Sequence, residues 1–452
     1  MDDQRIVLLR DTKISKAINT MSIPAIIGML VMAIYNVVDT MFVAWLGTSA
    51  TSATQVVLPI MMLTSAFGLA FGIGGGSYVS RLLGQNDMKK AQITTSVSFF
   101  TAVGAGLVFV IVSLLNLENL LYLFGANDSI IETSKNYAFF IIIGSIFTMG
   151  NMTMNNILRS EGSSKLSMLG MAAGSVLNVA LDPLFIFTFG WGVSGAGFAT
   201  ALSQGFSFLI LLSHYLMKRS VLSIKLSNFK PSLAMYTEIF KVGIPTFLRQ
   251  TLFSITIGFL NNRAFLYGGN DLLAAVGIVF RIGMIPTYIL FGIGQGFQPV
   301  VGYNFGAKNK KRILDALKYT LSISLILAFI SSLFLIFGGE IFMHIFKASP
   351  SVTAYGIRGL KYFAGSILLL AVTNCISIFY QAIGKGIESL ILSISRQGIF
   401  YLPAIFIAPL FFDADGILSS QLIADAFTFI VTAFVFIPFL LSHKLDKELD
   451  AS

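Results

Sequence analysis

The sequence predicts an all-α integral membrane protein, with twelve transmembrane helices arranged as two pseudo-symmetric six-helix bundles. Three observations lead to this prediction. Apolar residues make up 55% of the 452 residues and charged residues only 11%, against roughly 25% charged in a typical soluble domain. Long apolar runs recur along the chain, and its two halves resemble each other. A chain with so few polar residues cannot cover a water-soluble surface, so we expect its apolar surface to face lipid.

The apolar runs give twelve approximate spans, because a helix needs about 20 apolar residues to cross a bilayer. The spans are 16–46, 52–82, 92–115, 131–158, 166–189, 194–217, 237–267, 272–303, 313–338, 355–382, 388–411 and 416–441. Before the first span, the chain lacks the short apolar stretch and cleavage site of a secretory signal, so we expect this helix to be permanent.

Basic residues indicate how the spans are oriented. They are concentrated in segments that fall on one side of the membrane, such as 81–90, 218–230 and 308–312. The positive-inside rule therefore predicts a multi-pass protein of the cytoplasmic (inner) membrane with both termini cytoplasmic. It also explains the formal net charge of +9, so we expect no nucleic-acid partner.

The second half of the chain repeats the first with an offset of about 221 residues, since Pro24 aligns with Pro245 and FGIGGG (71–76) aligns with FGIGQG (291–296). An even number of helices in each repeat gives both bundles the same orientation, with a cavity between them. The expected domains are an N-terminal lobe over 1–217, a cytoplasmic linker over 218–236 and a C-terminal lobe over 237–452.

Ionisable groups within predicted spans are costly and point to function, and the clearest of them are the carboxylates of Asp39 and Asp182. Asp39 and Asp182 both lie about 11–12 Å below the outer edge at 1.5 Å per residue. Thr200 lies at a similar depth, and Asn178 shares a helix face with Asp182. Together these groups offer an oxygen site for Na⁺ or a place to hold protons. The structural alternative is that a lone aspartate caps a break, which Pro183 makes plausible.

The predicted C-terminal lobe has charges of its own. Arg281 and Asp425 lie at matching depths and are expected to form an ion pair, either structural or functional. Arg249 and Arg263 lie near helix ends, where we expect them to extend towards the interface. The single cysteine, Cys375, excludes an intrachain disulfide.

Motifs of soluble enzymes are absent from the sequence. The glycine-rich stretch 71–78 is neither a phosphate-binding loop nor a dinucleotide-binding turn, and it lies within an apolar span. No ATP-binding segment and no metal-ligand spacing is found. We therefore expect a transporter that is not an enzyme and has no cofactor, with any uphill transport driven by an ion gradient or by a partner subunit.

Several long segments closely resemble the multidrug and toxic compound extrusion (MATE) transporters, and most of all their DinF-like branch. These segments are IPAIIGMLVMAIYNVVDTMFVAWLG, FGIGGGSYVSRLLGQND, LNVALDP and GVSGAGFATALSQ. The resemblance implies an antiporter, expected to be monomeric, that exports small organic and often cationic compounds by alternating access, coupled to H⁺ or Na⁺.

The resemblance also implies roles for individual residues. The cation site of the family matches Asp39, Asn178, Asp182 and Thr200, and Na⁺ or H⁺ would occupy it. Supporting hydrogen bonds match Tyr35, Tyr137 and Asn155, and Pro24 matches a hinge in the first helix. The alternative function is a lipid or lipid-linked oligosaccharide flippase of the same superfamily. A membrane enzyme or receptor is a third class, which the repeat argues against.

Overall fold

A computed structural model describes residues 4–217, 219–441 and 444–451. The extreme termini, residues 442–443, and Lys218 at the start of the predicted linker lie outside these ranges. All regular structure in the described part of the chain is helical, and eleven of its helices are long and apolar enough to cross a membrane.

One of these helices, Leu233–Gly306, has 74 residues. At 1.5 Å per residue it would be about 110 Å long, far more than the roughly 30 Å hydrocarbon core of a bilayer. It breaks at Gly268 and Gly269, where Gly269 has φ +59°, a conformation that glycine adopts without a steric penalty. Its two parts are separate spans, so the prediction of an all-helical protein with twelve transmembrane helices is confirmed.

The first half of the chain contributes six spanning helices: α1 (Ile14–Ala44), α2 (Thr48–Gly84), α3 (Met88–Leu115), α4 (Ile131–Ser160), α5 (Ser164–Thr188) and α6 (Gly192–Leu216). The last turn of α5, Leu184–Thr188, is π-helical. Short helices also lie at Gln4–Arg10 and Leu117–Leu123.

The second half contributes the other six: α7 (233–267), α8 (270–306), α9 (Lys310–Phe337), α10 (Pro350–Ala382), α11 (Gly386–Ile407) and α12 (Pro409–Leu441). α11 contains a π-helical turn at Ser395–Phe400. Short helices lie at Gly339–Ile345 and Lys444–Ala451.

Helix caps explain where the sequence-based boundaries are inaccurate. The side chain of Asp87 accepts a hydrogen bond from the backbone N–H of Lys90 at 2.9 Å, so α3 begins at Met88 and not at residue 92. Ser232 caps α7 in the same way, and this helix begins within the predicted linker. Polar caps of this kind satisfy backbone N–H groups that the first turn leaves without partners.

The two halves meet through close backbone contacts at the ends of α2 and α8. Gly84 lies against the carbonyl group of Tyr303, and Gly306 lies against the carbonyl group of Arg81. A Cβ atom at either glycine would clash with backbone. Small residues thus allow the two helices to approach closely, as in other membrane proteins. We call this contact the glycine seam.

Polar contacts reinforce the glycine seam. The hydroxyl of Ser77 donates a hydrogen bond to the carbonyl oxygen of Gln381 at 2.5 Å. The guanidinium of Arg81 pairs with the carboxylate of Glu238, with an N···O distance of 3.0 Å. Both contacts join α2 to helices of the other half.

α1 also contacts the second half. The hydroxyl of Ser22 donates to the carbonyl oxygen of Ile293 on α8 at 3.2 Å, and Gly292 leaves room for Ile26. Pro24 lies between these contacts, inside a helix that continues through it. A proline in a helix interior removes one backbone hydrogen bond. Its predicted role as a hinge therefore concerns a segment that touches both halves.

Candidate functional site

The carboxyl groups of Asp39 on α1 and Asp182 on α5 lie close enough to share a hydrogen bond. Asp182 is fully buried and lies two residues before the π-helical turn at Leu184–Thr188, a feature frequent at functional sites. The Oδ1 atom of Asp39 is buried and has no hydrogen-bond partner in the described part of the chain. Two carboxylates in contact away from water cannot both remain charged without compensation, so the pair requires a proton or a cation.

The amide of Asn178 connects this pair to α6. With its nitrogen turned towards Asp182, it donates to the Oδ2 atom at 2.9 Å, and its oxygen accepts from the backbone N–H of Thr200 at 3.2 Å. In the opposite orientation the amide oxygen of Asn178 would face the carboxylate oxygen of Asp182. We therefore assign the orientation in which the amide nitrogen faces Asp182. The buried phenol of Tyr35 lies beside the hydroxyl of Thr200. The structure therefore brings together the four residues predicted to bind the cation.

The other two predicted supporting residues differ in their positions. Tyr137 is buried close to Asp39, Asp182 and Tyr35. The side-chain oxygen of Asn155 instead accepts a hydrogen bond from the hydroxyl of Ser167 at 3.0 Å. Asn155 thus lies near the site without a direct hydrogen bond to either carboxylate.

A partly open cavity adjoins this cluster inside the first half of the chain, with about 510 Å³ of empty space when the open space at its mouth is included. Its walls come from α1, α4, α5 and α6 and include Tyr35, Asn178 and Thr200 from the cluster. The remaining walls combine methionine with amide side chains, among them Met32, Met152, Met171, Asn151 and Gln204. Methionine adapts to irregular apolar ligands.

The predicted pair between Arg281 and Asp425 is wrong. Asp425 is fully buried and pairs with Arg396, whose Nε atom lies 2.6 Å from its Oδ1 atom, whereas Arg281 is exposed. Matching depths place two residues at one level of the membrane, but they do not determine which way each helix face points. Arg396 lies on α11, which packs beside α12.

Sequence reasoning did not single out two residues of these sites. Arg396 lies well inside the predicted span 388–411, and this position is the signal that could have identified it. Asn151 lies one helical turn before Asn155 and donates a hydrogen bond to the side-chain oxygen of Gln204 at 2.9 Å. Amides spaced by four residues in an apolar helix are a weaker signal.

The donor set of the cluster favours a hard cation or protons. Among the described residues, no three His, Cys, Asp or Glu side chains come together. Carboxylate, amide and hydroxyl oxygens, as in Asp39, Asp182, Asn178 and Thr200, suit cations that prefer oxygen ligands.

Comparison with known proteins gives consistent matches. The model of the MatE family matches residues 24–184 and 244–407, one segment in each half. The multidrug export protein MepA of Staphylococcus haemolyticus (strain JCSC1435) is 31% identical over 452 residues, with 99% of this chain and 98% of the relative covered.

Solved structures agree. A crystal structure of MATE in complex with MaL6 gives a TM-score of 0.93 at 29% identity and covers 98% of this chain and 100% of that one. The outward-facing conformation of a multidrug resistance MATE family transporter of the MOP superfamily gives 0.93 at 29% identity, with 99% and 100% covered. These proteins are transporters and not enzymes.

Proposed function

The chain belongs to the MatE family, and from this premise we propose that it exports small organic compounds in exchange for H⁺ or Na⁺. The contact between Asp39 and Asp182 beside a cavity carries this proposal. A carboxylate pair that needs a proton or a cation is suited to ion coupling, and a methionine-lined cavity is suited to varied apolar cargo. The relatives that are described as multidrug exporters favour efflux over the flippase alternative.

Coupling requires that ion and cargo stabilise different states of the transporter. In our proposal, ion entry from outside neutralises Asp39 and Asp182. Tyr35 and Asn178 line the cavity and belong to the same cluster, so loading changes the cavity wall. Cargo is then released outwards, and α1 rearranges around Pro24.

The proposed orientation places both termini in the cytoplasm and the glycine seam at the cytoplasmic end. The carboxylate pair then lies in the outer half of the N-terminal lobe. With the seam closed, the cavities are accessible from outside. Separation of α2 from α8 at the seam would give access from inside. We propose that a single chain performs this cycle.

Ethidium efflux from proteoliposomes tests the proposal, with a pH gradient and an Na⁺ gradient imposed separately. Wild type should be stimulated by at least one gradient, and Asp182→Asn should lose that stimulation. Asp271→Asn, at an exposed carboxylate, serves as the matched control and should behave like wild type. Stimulation of wild type by neither gradient would contradict ion coupling. Unchanged stimulation of Asp182→Asn would contradict the site.

A further inference from the structure

A second cavity lies entirely within the second half of the chain, between α7, α8, α10, α11 and α12. It is partly open, and its empty space, including the open space at its mouth, is about 370 Å³. Apolar side chains form part of its wall, including Phe291, Leu370 and Leu392, and two arginines, Arg249 and Arg396, also line it. Basic side chains inside a membrane-spanning bundle are costly, which makes them candidates for function.

Only one of the two arginines has a carboxylate partner. Asp425 accepts hydrogen bonds from Arg396, and it also accepts from the hydroxyl of Ser366 and, at 3.1 Å, from the amide of Gln421. Three side chains therefore donate four hydrogen bonds to the carboxylate of Asp425, and the charge of this carboxylate is balanced by Arg396. This pair contributes no net charge to the cavity.

Arg249 carries the remaining charge. Its guanidinium carbon lies 5.6 Å from the centre of the Phe291 ring, and no ion pair or hydrogen bond joins its side chain to another described residue. The nearby hydroxyl of Ser393 is buried and has no hydrogen-bond partner in the described ranges. A guanidinium and a hydroxyl on one cavity wall thus offer donors that no protein acceptor uses.

We infer that this cavity binds an organic anion, in which a single carboxylate, sulfonate or phosphate is attached to an apolar body. Arg249 would hold the oxyanion, since a planar guanidinium can donate two parallel hydrogen bonds to such a group. Phe291, Leu370 and Leu392 would contact the apolar body. This site lies apart from the carboxylate pair, and its ligand has the opposite charge to the cations proposed there.

The anion could belong to a soluble compound or to the headgroup of an anionic lipid. Fluorescence titration with dansylglycine, which carries a carboxylate, and with the uncharged dansylamide tests the charge requirement. The full chain is placed in nanodiscs of phosphatidylcholine alone, where no lipid has a net charge. Wild type should bind dansylglycine more tightly than dansylamide.

Variants test whether Arg249 is responsible. Arg249→Met should weaken dansylglycine binding about tenfold or more, as expected for loss of a hydrogen bond to a charged group, and should leave dansylamide binding unchanged. Arg249→Lys should retain part of the preference. Arg281→Met, which removes an exposed arginine of the same half, should bind both probes like wild type. Thermal unfolding midpoints close to wild type establish that each variant is folded.

Addition of phosphatidylglycerol distinguishes the two sources of the anion. Competition with dansylglycine in wild type, absent in Arg249→Met, assigns the site to a lipid headgroup, and absence of competition assigns it to a soluble anion. Equal binding of dansylglycine to wild type and Arg249→Met overturns the inference. Equal affinity of wild type for the two probes does so as well.

Discussion

The carboxyl groups of Asp39 and Asp182 face each other across the contact between α1 and α5, close enough to share a hydrogen bond. Asp182 lies on a helix of the first half, and α1, which carries Asp39, also contacts α8 through Ser22 and Ile293. An ion bound by this pair can therefore influence both halves. This relationship leads to a prediction about cargo binding.

Ion and cargo should compete in wild type, and the competition should depend on Asp39. We expect the affinity for ethidium, measured by fluorescence polarisation in detergent, to fall as pH is lowered or as Na⁺ is raised. Thermodynamic linkage requires this if the ion and cargo favour different states. In Asp39→Asn the affinity should be independent of the coupling ion. Asp271→Asn should keep the wild-type dependence, and an Asp39→Asn protein that also keeps it would disprove the linkage.

Arg396 should stabilise the fold chiefly by neutralising Asp425. Arg396→Met leaves a buried carboxylate without its cation, which typically costs about 3–5 kcal/mol. We expect a clearly lower thermal unfolding midpoint in detergent. The double variant Arg396→Met/Asp425→Leu should recover most of the loss, because no unpaired charge remains. A double variant as unstable as the single one would show that the pair is not the source of the effect.

The glycine seam should control access to the bundle. Gly84→Ala places a methyl group against the carbonyl of Tyr303, and overpacking of this kind costs about 1–3 kcal/mol. The closed state should thus lose about tenfold in population for each 1.4 kcal/mol. A cysteine at the buried Ser80 should then react faster with a membrane-impermeant maleimide, and ethidium efflux should fall.

Two features of the chain support the control for this experiment. Cys375, the single native cysteine, is buried, so background labelling should be low. Gly104→Ala adds a methyl group that meets no atom within 4 Å apart from the adjacent backbone of its own helix, and it should react like the parent. Equal labelling rates in Gly84→Ala and Gly104→Ala would mean that the seam does not limit access.

Glu161, in the connection between α4 and α5, should make stability depend on pH. It is fully buried and accepts hydrogen bonds from the hydroxyls of Ser163 and Ser220 and from the N–H of Leu222, at 2.7, 2.6 and 3.1 Å. Arg5 lies 3.6 Å away. Burial raises the pKa of Glu161, and these partners only partly offset that effect.

A carboxyl group with a raised pKa in the folded state stabilises the fold below its ordinary pKa of about 4.3. This contribution is lost as pH rises through the folded-state pKa. The advantage of wild type over Glu161→Gln in thermal unfolding midpoint should therefore be largest at low pH and shrink as pH rises. If the advantage of wild type grew with pH, the pKa of Glu161 would be lowered in the folded state, which would contradict the effect of burial.

Much of the fold follows from apolar patterning. Twelve spans were expected and the described part of the chain contains twelve. Even the break between α7 and α8 lies where the predicted spans end and begin, at 267 and 272. Helix starts were less accurate, because caps such as Asp87 and Ser232 lie outside the apolar runs. A hydropathy pattern identifies the part of a helix that lies in the membrane, and it does not identify the polar residues that cap the first turn.

Depth along a helix was a good guide to the carboxylate pair and a poor guide to the pair in the second half. Asp39 and Asp182 share a level and a contact, whereas Asp425 turns to Arg396 and not to Arg281. The direction in which a helix face points depends on packing among several helices, which a single sequence does not specify. The π-helical turn that contains Arg396 adds a further rotation that regular periodicity does not predict.

The glycine seam has a further consequence for a protein that must open and close many times. Its contacting surfaces at Gly84 and Gly306 are largely backbone, and the carbonyl groups there are already bonded within their own helices. When these glycine contacts separate, water meets peptide groups, so this part of the interface loses little hydrophobic stabilisation. The glycine contacts can therefore fit tightly in the closed state and still add little to the cost of separation.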